Sequence, residues 1–474
     1  MTVTPPTPVL HRKEWQFMTP APVASVAGAF IVNDPNDQGN LAMLVTSATV
    51  QYLYHHDEDA WVQLPSAALG GTFGAGACGA RGRWSRTLTA NGGTTSTITL
   101  ATAINSLCIG RTIRFLSGTA GNVGLERTVT SVLLSPVAGT AVIQLDTPLP
   151  NAVANLDTFV VEVGRFFVVN AGAPAAGSFR EFDPLTMTWA TLTQTGLPTI
   201  GTDGKLVSTP SHVSIATGTA TSATSTTLSN SIKAWTVNQW ANSQIRITGG
   251  VGAGQVRTIS SNTNNAITVS AAWTTTPDAT STYSIEGNDD YLYFLGNNAV
   301  AMYRYSISAA TWTTLAPGVA RGAAPVAGMS ANWVQLTGDP NWASETDIRD
   351  GRYIYSFRGT GTLLDRYDIA LNAWSAVTAY GPIAETFNAG SGYGCYGRYI
   401  FIRKESSAGN PVRYFKYSVR GNMLEPLSTN LYPDGAAVIG DKAWVKELPG
   451  SGGAVAWLYS MNNSGSALFR LMLI

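Results

Sequence analysis

An aromatic residue followed seven positions later by tryptophan recurs along the chain, and this spacing constrains the fold more than any other feature. The stretch Phe182–Trp189 reads FDPLTMTW, with a turn between its two rings. An Asp-Pro or Ser-Ile turn reverses the chain, so the aromatic residue ends one strand and the tryptophan begins the next antiparallel strand. Both rings then lie on one face of the sheet. The frame occurs five times, the last with leucine in place of tryptophan: Tyr54–Trp61, Phe182–Trp189, Tyr305–Trp312, Tyr367–Trp374 and Tyr417–Leu424.

The distances between these hairpins indicate a repeat. Trp312 and Trp374 are 62 residues apart, and Trp374 and Leu424 are 50 apart. The two earlier intervals, of 128 and 123 residues, each contain an additional Thr/Ser/Gly-rich segment, at 87–164 and 215–287. Without those segments about 50 residues remain, the length of a four-stranded kelch blade. The pattern therefore resembles the kelch repeat, which implies a β-propeller. LGNN, FRGTG and VNAGAPAAG stand where kelch repeats carry paired glycines, so the resemblance concerns the fold alone.

The two ends of the chain predict how the ring of blades closes. The C-terminal stretch AWLYSMNNSGSALFRLMLI aligns with DYLYFLGNNAVAMYRYSI of an interior blade, which places Leu471 beside Tyr305. It stops before a tryptophan strand, and the N-terminal EWQFMTPA supplies one, with Trp15 set like Trp312. Such closure leaves no unpaired sheet edge. Six blades follow from the tryptophan or equivalent positions Trp15, Trp61, Trp189, Trp312, Trp374 and Leu424.

The two additional segments resemble each other. GRTIRFLSGTAGNVGLERTVTSV in the first corresponds to NSQIRITGGVGAGQVRTISSN in the second. Alternation at period two with Gly/Asn turns predicts a small β-barrel or sandwich of about 70 residues. Both resemble β-modules of tailed-bacteriophage structural proteins, and both are expected to project from the same face of the propeller. The alignment matches Ile113 with Ile245, Arg127 with Arg257, Thr128 with Thr258, and Phe159 with Tyr283.

Together these patterns predict an all-β fold, namely a six-bladed kelch-like β-propeller closed by the N-terminal strand, with two small inserted β-barrel or sandwich domains. The predicted limits are 1–86 for the first propeller segment, 87–164 for the first insert, 165–214 for propeller, 215–287 for the second insert and 288–474 for propeller.

The charge content narrows the classes of partner. Charged residues make up 12% of the chain, against about 25% in ordinary domains. Basic and acidic residues balance at 29 each, so nucleic acid and anionic membranes are not expected partners. The N-terminus lacks a signal-peptide pattern, and no apolar run approaches the roughly 18 residues of a membrane span. We expect a soluble protein, made in the cytoplasm, whose charge-poor surface is covered by neighbours in an assembly.

The four histidines and three cysteines do not have the spacing of a known site. No histidine lies in an HExxH or a Ser/His/Asp setting, and His55 and His56 are expected in a solvated turn. The cysteines are too few and too scattered for a disulfide framework or a zinc cluster, and we expect buried or idle thiols. These residues are His11, His55, His56, His212, Cys78, Cys108 and Cys395.

Three loops could be mistaken for ligand sites. Asp34–Asn40 (DPNDQGN) is similar to a calcium loop but has Val45 at its twelfth position, so it is interpreted as a turn. The glycine-rich 252–259 lacks the lysine and the following helix of a phosphate loop, and is interpreted as a hairpin with Arg257 paired locally. The acidic Gly338–Gly351 is the best candidate for ligand or ion contact, although a solvated loop is the favoured interpretation.

Two enzyme classes built on propellers fit poorly. Copper radical oxidases need a cysteine–tyrosine cross-link and two histidines, whereas Cys395 and Tyr396 are adjacent and the C-terminal half has no histidine. Sialidases carry Ser-x-Asp-x-Gly-x-x-Trp turns, and SISAATW lacks the Asp and Gly. We therefore assign no catalytic, cofactor-binding or metal residue and expect no enzyme and no cofactor.

The favoured function is a structural component of a tailed-phage virion, as a head, neck or tail accessory or decoration protein. Its expected partners are other virion structural proteins and further copies of the chain. A glycan-binding receptor module for the host surface is the alternative, and a propeller-type carbohydrate-active enzyme is the lesser one. The fold alone does not choose among them.

Overall fold

The protein is all-β in the computed structural model: the described residues form antiparallel strands and one short 3-10 turn, Ser106–Cys108. Among them no helix has the length and apolar character to cross a membrane. The structure describes residues 15–24, 29–33, 41–47, 49–66, 74, 77–82, 85–134, 139–200, 204–208, 214–235, 237–288, 290–295, 301–321, 331–333, 353–357, 363–369, 371–378, 392–396, 399–404, 413–419, 421–427, 443–447, 456–461 and 466–473.

The described residues contain 37 strands, numbered in chain order. The first twelve are β1 Gln16–Met18, β2 Phe30–Asn33, β3 Leu41–Val45, β4 Gln51–His55, β5 Ala60–Gln63, β6 Cys78–Gly82, β7 Ser85–Asn91, β8 Thr97–Leu100, β9 Thr112–Ser117, β10 Glu126–Leu134, β11 Ala141–Leu145 and β12 Asn155–Glu162. The next thirteen are β13 Arg165–Val169, β14 Phe179–Asp183, β15 Thr188–Thr191, β16 Lys205–Ser208, β17 Ser214–Thr219, β18 Ser222–Ala223, β19 Thr227–Ser229, β20 Gln244–Gly249, β21 Val256–Asn262, β22 Ala266–Val269, β23 Thr282–Glu286, β24 Tyr291–Leu295 and β25 Met302–Ser306. The last twelve are β26 Thr311–Leu315, β27 Ala331–Trp333, β28 Tyr353–Phe357, β29 Leu363–Asp368, β30 Ala373–Thr378, β31 Gly392–Tyr396, β32 Tyr399–Lys404, β33 Arg413–Ser418, β34 Met423–Pro426, β35 Ala443–Glu447, β36 Ala456–Met461 and β37 Leu468–Leu473.

Six of the sheets in the described residues have four antiparallel strands each. In each one the strands lie side by side in the order in which the chain forms them, and only the sixth takes a strand from the other end of the chain. Named first to sixth, the sheets are β2–β3–β4–β5, β6–β13–β14–β15, β16–β24–β25–β26, β27–β28–β29–β30, β31–β32–β33–β34 and β35–β36–β37–β1.

The predicted aromatic hairpins are confirmed. In each one the aromatic residue of the third strand lies directly opposite the tryptophan, or Leu424, of the fourth. Opposed side chains on one face of a sheet contact each other, so the two rings form one apolar unit. The ring centroids lie 4.7 Å apart for Tyr54 and Trp61, 5.0 Å for Phe182 and Trp189, 5.0 Å for Tyr305 and Trp312, and 5.2 Å for Tyr367 and Trp374.

Each hairpin turns through a left-handed residue two positions before the tryptophan or leucine. Asparagine and aspartate adopt this conformation more easily than other residues with a side chain. At three of the five turns the same residue also accepts a hydrogen bond from the tyrosine hydroxyl, at 2.6 to 2.8 Å. One side chain therefore fixes the turn and provides an acceptor for the tyrosine. The φ angles are 46° at Asp59, 56° at Met187, 51° at Ala310, 48° at Asn372 and 47° at Asn422.

Each sheet packs its second strand against the aromatic hairpin of the next sheet. The order of these contacts runs from the first sheet to the sixth and returns to the first, and the first strands of neighbouring sheets contact one another in the same order. Ring contacts join Tyr293 to Tyr367, Tyr355 to Tyr417, and Tyr459 to Tyr54. Shared apolar clusters contain Met43 and Phe182, Phe167 and Tyr305, and Phe401 and Leu471.

The N-terminal segment joins the ends of this series. Strand β1 pairs with β37 as the fourth strand of the sixth sheet, as the sequence predicts. Trp15 packs against the fifth sheet, with its ring 5.0 Å from that of Tyr414. Beyond the strand, the Thr19 amide donates to the Asp59 carboxylate at 3.0 Å, and the Thr19 carbonyl accepts from Trp61 Nε1 at 3.0 Å. The five residues 15–19 thus connect the fifth, sixth and first sheets.

The expectation that His56 lies in a solvated turn is wrong. His56 is 7% exposed and accepts a hydrogen bond from Trp444 Nε1 of the sixth sheet at 2.9 Å. The rings of Tyr54 and Tyr459 pack against it at 5.0 and 4.9 Å. The end of this hairpin faces the sixth sheet where the first and last sheets meet, and this contact buries the imidazole. His55, on the opposite face of the strand, is half-buried.

Deleting residues 1–18 should destabilise the protein, because it removes β1 and the packing of Trp15 and leaves β37 as an open edge. We expect a loss of at least roughly 3 kcal/mol, as for truncation of a core tryptophan, together with aggregation. Thermal unfolding and size-exclusion chromatography measure both, with deletion of residues 1–14 as the control. A monomer lacking residues 1–18 with unchanged melting would contradict this account of closure.

Ala310→Asn should stabilise the protein. Asparagine is better suited than alanine to the left-handed backbone, and it would place an acceptor near the Tyr305 hydroxyl, as Asn372 does for Tyr367. We expect a gain of roughly 0.5–1 kcal/mol in the free energy of unfolding, measured by chemical denaturation. The matched variant Asn372→Ala removes the same features and should lose roughly 1–3 kcal/mol. Effects of the same sign in the two variants would rule out this role for the turn residue.

Candidate functional site

Two larger sheets interrupt the second and third four-stranded sheets at the same place, between the first strand and the second. The first module, β7 to β12, lies between β6 and β13 and has the strand order β7–β12–β9–β10–β11–β8. The second module, β17 to β23, lies between β16 and β24 and has the order β17–β23–β20–β21–β22–β19–β18. The orders match strand for strand, with β18 as an extra edge strand. The likeness of the two sequences is therefore a likeness of topology.

Each module encloses its own core. In the first module the sheet curls so that its edge strands β7 and β8 come into contact. Equivalent positions supply the buried side chains of both modules, and all of them are at most 1% exposed. The equivalent pairs include Ile113 and Ile245, Phe115 and Ile247, Val129 and Ile259, Ile143 and Ile267, Phe159 and Tyr283, and Val161 and Ile285.

An arginine clamp is repeated in the two modules. Arg257 Nε donates to the Ala272 carbonyl at 2.9 Å, and Arg127 Nε donates to the Thr147 carbonyl at 3.0 Å. Their terminal nitrogens make further bonds to nearby oxygens. The prediction that Arg257 pairs locally is confirmed, and the glycine-rich 252–259 forms a turn and a strand.

The first module is seated on the hairpin FDPLTMTW. Leu185 from the turn is fully buried in the core of the module, and its carbonyl accepts from the Asn105 amide at 3.0 Å. Arg86 forms an ion pair with Asp183, and Leu107 of the module packs into the cluster beneath the second sheet. Sequence reasoning missed this contact. The sequence carried one sign of it: the apolar Leu185 directly follows Asp183-Pro184 in the turn of the hairpin whose sheet carries the first module.

The second module is attached differently. Its base is filled by its own Trp240, which is 2% exposed and packs edge-on to Trp235. Asn242 accepts from Arg304 of the third sheet at 3.4 Å and donates to the Ile369 carbonyl of the fourth at 3.5 Å. Antiparallel strands reverse direction at every turn, so the connection from strand one to strand two and the turn from strand three to strand four lie at the same end of the strands. Both modules therefore lie at the strand ends that carry the aromatic hairpin turns.

Charged side chains of the modules are bonded within the chain. Arg246 and Glu286 form a buried ion pair at 3.0 Å, and Arg114 pairs with Glu126. Asp146 accepts from two backbone amides, and the bond from the Thr128 amide is the largest cause that holds the pKa of its carboxyl below the usual value. The bonds made by Asp157, Asp278 and Lys233 are also internal. Glu126, Asp146 and Asp278 remain exposed, so the modules present a few carboxylates among mainly hydroxyl, amide and main-chain groups.

The described part of the chain contains no cluster of three or more His, Cys, Asp or Glu residues that could hold a metal ion. Cys78 and Cys108 are buried, and burial raises the pKa of the Cys108 thiol to about 11. The remaining candidates lie outside the described residues: His11, His212, Asp34–Asn40, Gly338–Gly351 and the side chain of Cys395.

Comparisons with known proteins identify no family for this chain. No protein-family profile matches it, and no curated protein matches it. Among solved structures, it is similar to the Phage phi92 endosialidase, with 10% sequence identity and a TM-score of 0.31 over 98% of this chain and 69% of that one. A score this low does not show a shared fold or a shared activity.

Replacing residues 87–164 or 215–287 by a short Gly/Ser turn should leave the four-stranded sheets folded. Gly82 lies opposite Arg165, and Ser208 lies opposite Leu292, so a short turn can join the strands in both places. Removing the first module uncovers Leu185, so its excision should be combined with Leu185→Ser. Circular dichroism and thermal unfolding are the measurements, with the single Leu185→Ser variant as the control. Loss of all β-signal after either excision would show that the modules belong to the core.

Proposed function

We propose that the chain is a six-bladed kelch-like β-propeller, closed by its N-terminal strand and carrying two inserted β-barrel domains. Six four-stranded meanders, the cyclic order of their contacts and the pairing of β1 with β37 support this architecture. In this proposal the propeller comprises residues 1–86, 165–214 and 288–474, and the inserted domains comprise 87–164 and 215–287.

We also propose that the protein is a non-enzymatic structural component of a tailed-phage virion, in the head, neck or tail. The observation that carries this proposal is the scarcity of charge in the modules, whose named charged groups pair or bond within the chain. Three of their carboxylates, Glu126, Asp146 and Asp278, are exposed, and hydroxyl, amide and main-chain groups make up most of the remaining outward surface. Such a surface suits protein contacts whose specificity comes from shape and hydrogen bonds. The partners would be other virion proteins and further copies of this chain.

Glycan binding is the second candidate, and the described tryptophans of the second module do not favour it. A sugar-binding platform needs an aromatic face open to solvent, whereas Trp235, Trp240 and Trp273 are at most 8% exposed. These rings pack into the core of the module instead. A glycan site among the described residues of the second module would therefore lack a stacking tryptophan.

The proposal is tested on particles of the phage that encodes the chain. Mass spectrometry of purified virions should detect the protein, and purified chain should rebind particles that lack it. The dissociation constant should change by less than about threefold between 50 and 500 mM NaCl, because there is little charge to screen. Absence from the virion inventory, or binding that weakens steeply with salt, would overturn the proposal, as would turnover of a sugar or alcohol substrate.

A matched pair of variants tests whether the modules make the contact with the virion. Thr89→Glu adds a charge to the exposed face of the first module, and Thr313→Glu adds the same charge to the outer strand of the third sheet. We expect the first change to weaken rebinding by roughly tenfold or more, since a buried unpaired carboxylate costs several kcal/mol. The second should leave rebinding unchanged, and the reverse result would move the contact to the sheets.

A further inference from the structure

The two modules carry equivalent glycine turns. Gly124 and Gly254 each stand three residues before the clamp arginine, and both have left-handed backbones, with φ of 84° and 88°. The Gly124 amide donates to the Phe115 carbonyl at 2.8 Å, and the Gly254 amide donates to the equivalent Ile247 carbonyl at 2.8 Å. The turns therefore have the same conformation as well as the same sequence position.

These turns contact each other. A β-carbon placed on Gly254 would lie 3.6 Å from Val123 Cγ1 and 3.4 Å from the Leu116 carbonyl oxygen of the first module. A β-carbon placed on Gly124 would lie 3.7 Å from the Ala253 β-carbon of the second module. Each glycine thus faces the other module at van der Waals distance, and a larger side chain at either position would separate the two turns.

The contact is reciprocal. Alignment on the clamp arginines makes Gly124 equivalent to Gly254 and Val123 equivalent to Ala253. Gly124 faces Ala253, and Gly254 faces Val123. Residue i touching j while j touches i is the signature of a two-fold, self-complementary interface. The modules are attached to their sheets by different residues, so equivalent attachments at their bases do not account for this match.

We infer that the glycine turn is a homotypic docking surface whose partner is another copy of the same module. In this chain the partner is supplied internally, so the two modules form one pseudo-two-fold unit instead of two independent arms. A neighbouring protein then meets a single composite surface. This inference concerns the pairing of the modules and does not depend on the proposed place in a virion.

A disulfide tests the pairing in the full-length chain. The 3.7 Å between the β-carbon positions of residues 124 and 253 lies within the range of protein disulfides. Gly124→Cys with Ala253→Cys should oxidise to an intramolecular bond, detected by peptide mapping under non-reducing conditions. In the control pair, Leu133→Cys with Ala253→Cys, position 133 lies about 23 Å along β10 from the glycine turn, so no bond should form. Equal cross-linking in both pairs would overturn the inference.

Cysteine at position 124, where the backbone is left-handed, could prevent folding, so a second measurement tests the pairing without that substitution. Ala253→Arg inserts a long side chain between the turns, and hydrogen exchange of residues 118–124 should become roughly tenfold faster as the turn loses its cover. Thr276→Arg, an exposed site on the second module, is the matched control and should leave that exchange unchanged. Unchanged exchange in the Ala253 variant would refute the pairing.

Discussion

The cross-strand aromatic pair at the outer edge of the four-stranded sheets is the contact on which their arrangement depends. It closes a hairpin within one sheet, and its third-strand ring is also the surface on which the preceding sheet packs. Aromatic rings each bury roughly 150–250 Å² and add directional ring contacts, so a single pair stabilises both levels of structure. Where that ring is a tyrosine, its hydroxyl needs a polar partner, and the turn residue provides it at Asp59, Asn372 and Asn422.

The four-stranded sheets contain few charged side chains, and several of these occupy the same position in successive sheets. In the third, fourth and sixth sheets an arginine stacks on an aromatic ring of the neighbouring strand, 4.2 to 4.5 Å from the ring centre. In the fifth sheet Lys416 lies 5.0 Å from the centre of the Tyr399 ring. The second sheet has Arg165 in place of the ring and Glu181 in place of the cation, and the two form an ion pair. One position in the fold thus takes either a cation–π contact or an ion pair. Cations held in this way contribute little to the outer surface.

Features decided by a short stretch of chain could be predicted from the sequence, and features decided by the approach of distant parts could not. The pairing of Phe182 with Trp189 and the local clamp of Arg257 depend on spacing within one or two strands. The N-terminal closure was predictable because the last sheet lacked a strand that the first residues matched. The burial of His56, the seating of a module on Leu185 and the meeting of Gly124 with Ala253 depend on which surfaces become neighbours. Composition gave no signal for these.

The attachments of the modules bear on what they can do. A domain joined to its host only by two chain crossings would move freely, and ordering it on a partner would cost binding energy. Here the first module is held by Leu185 in its core, and the second by Asn242 between two sheets. The contact of the glycine turns adds a third restraint, between the modules themselves. Three contacts made by different residues restrain the pair of modules relative to each other and to the sheets. If the modules bind a partner as proposed, shape and hydrogen bonds would have to supply the attraction, and this restraint would lower the ordering cost that such weakly charged contacts must overcome.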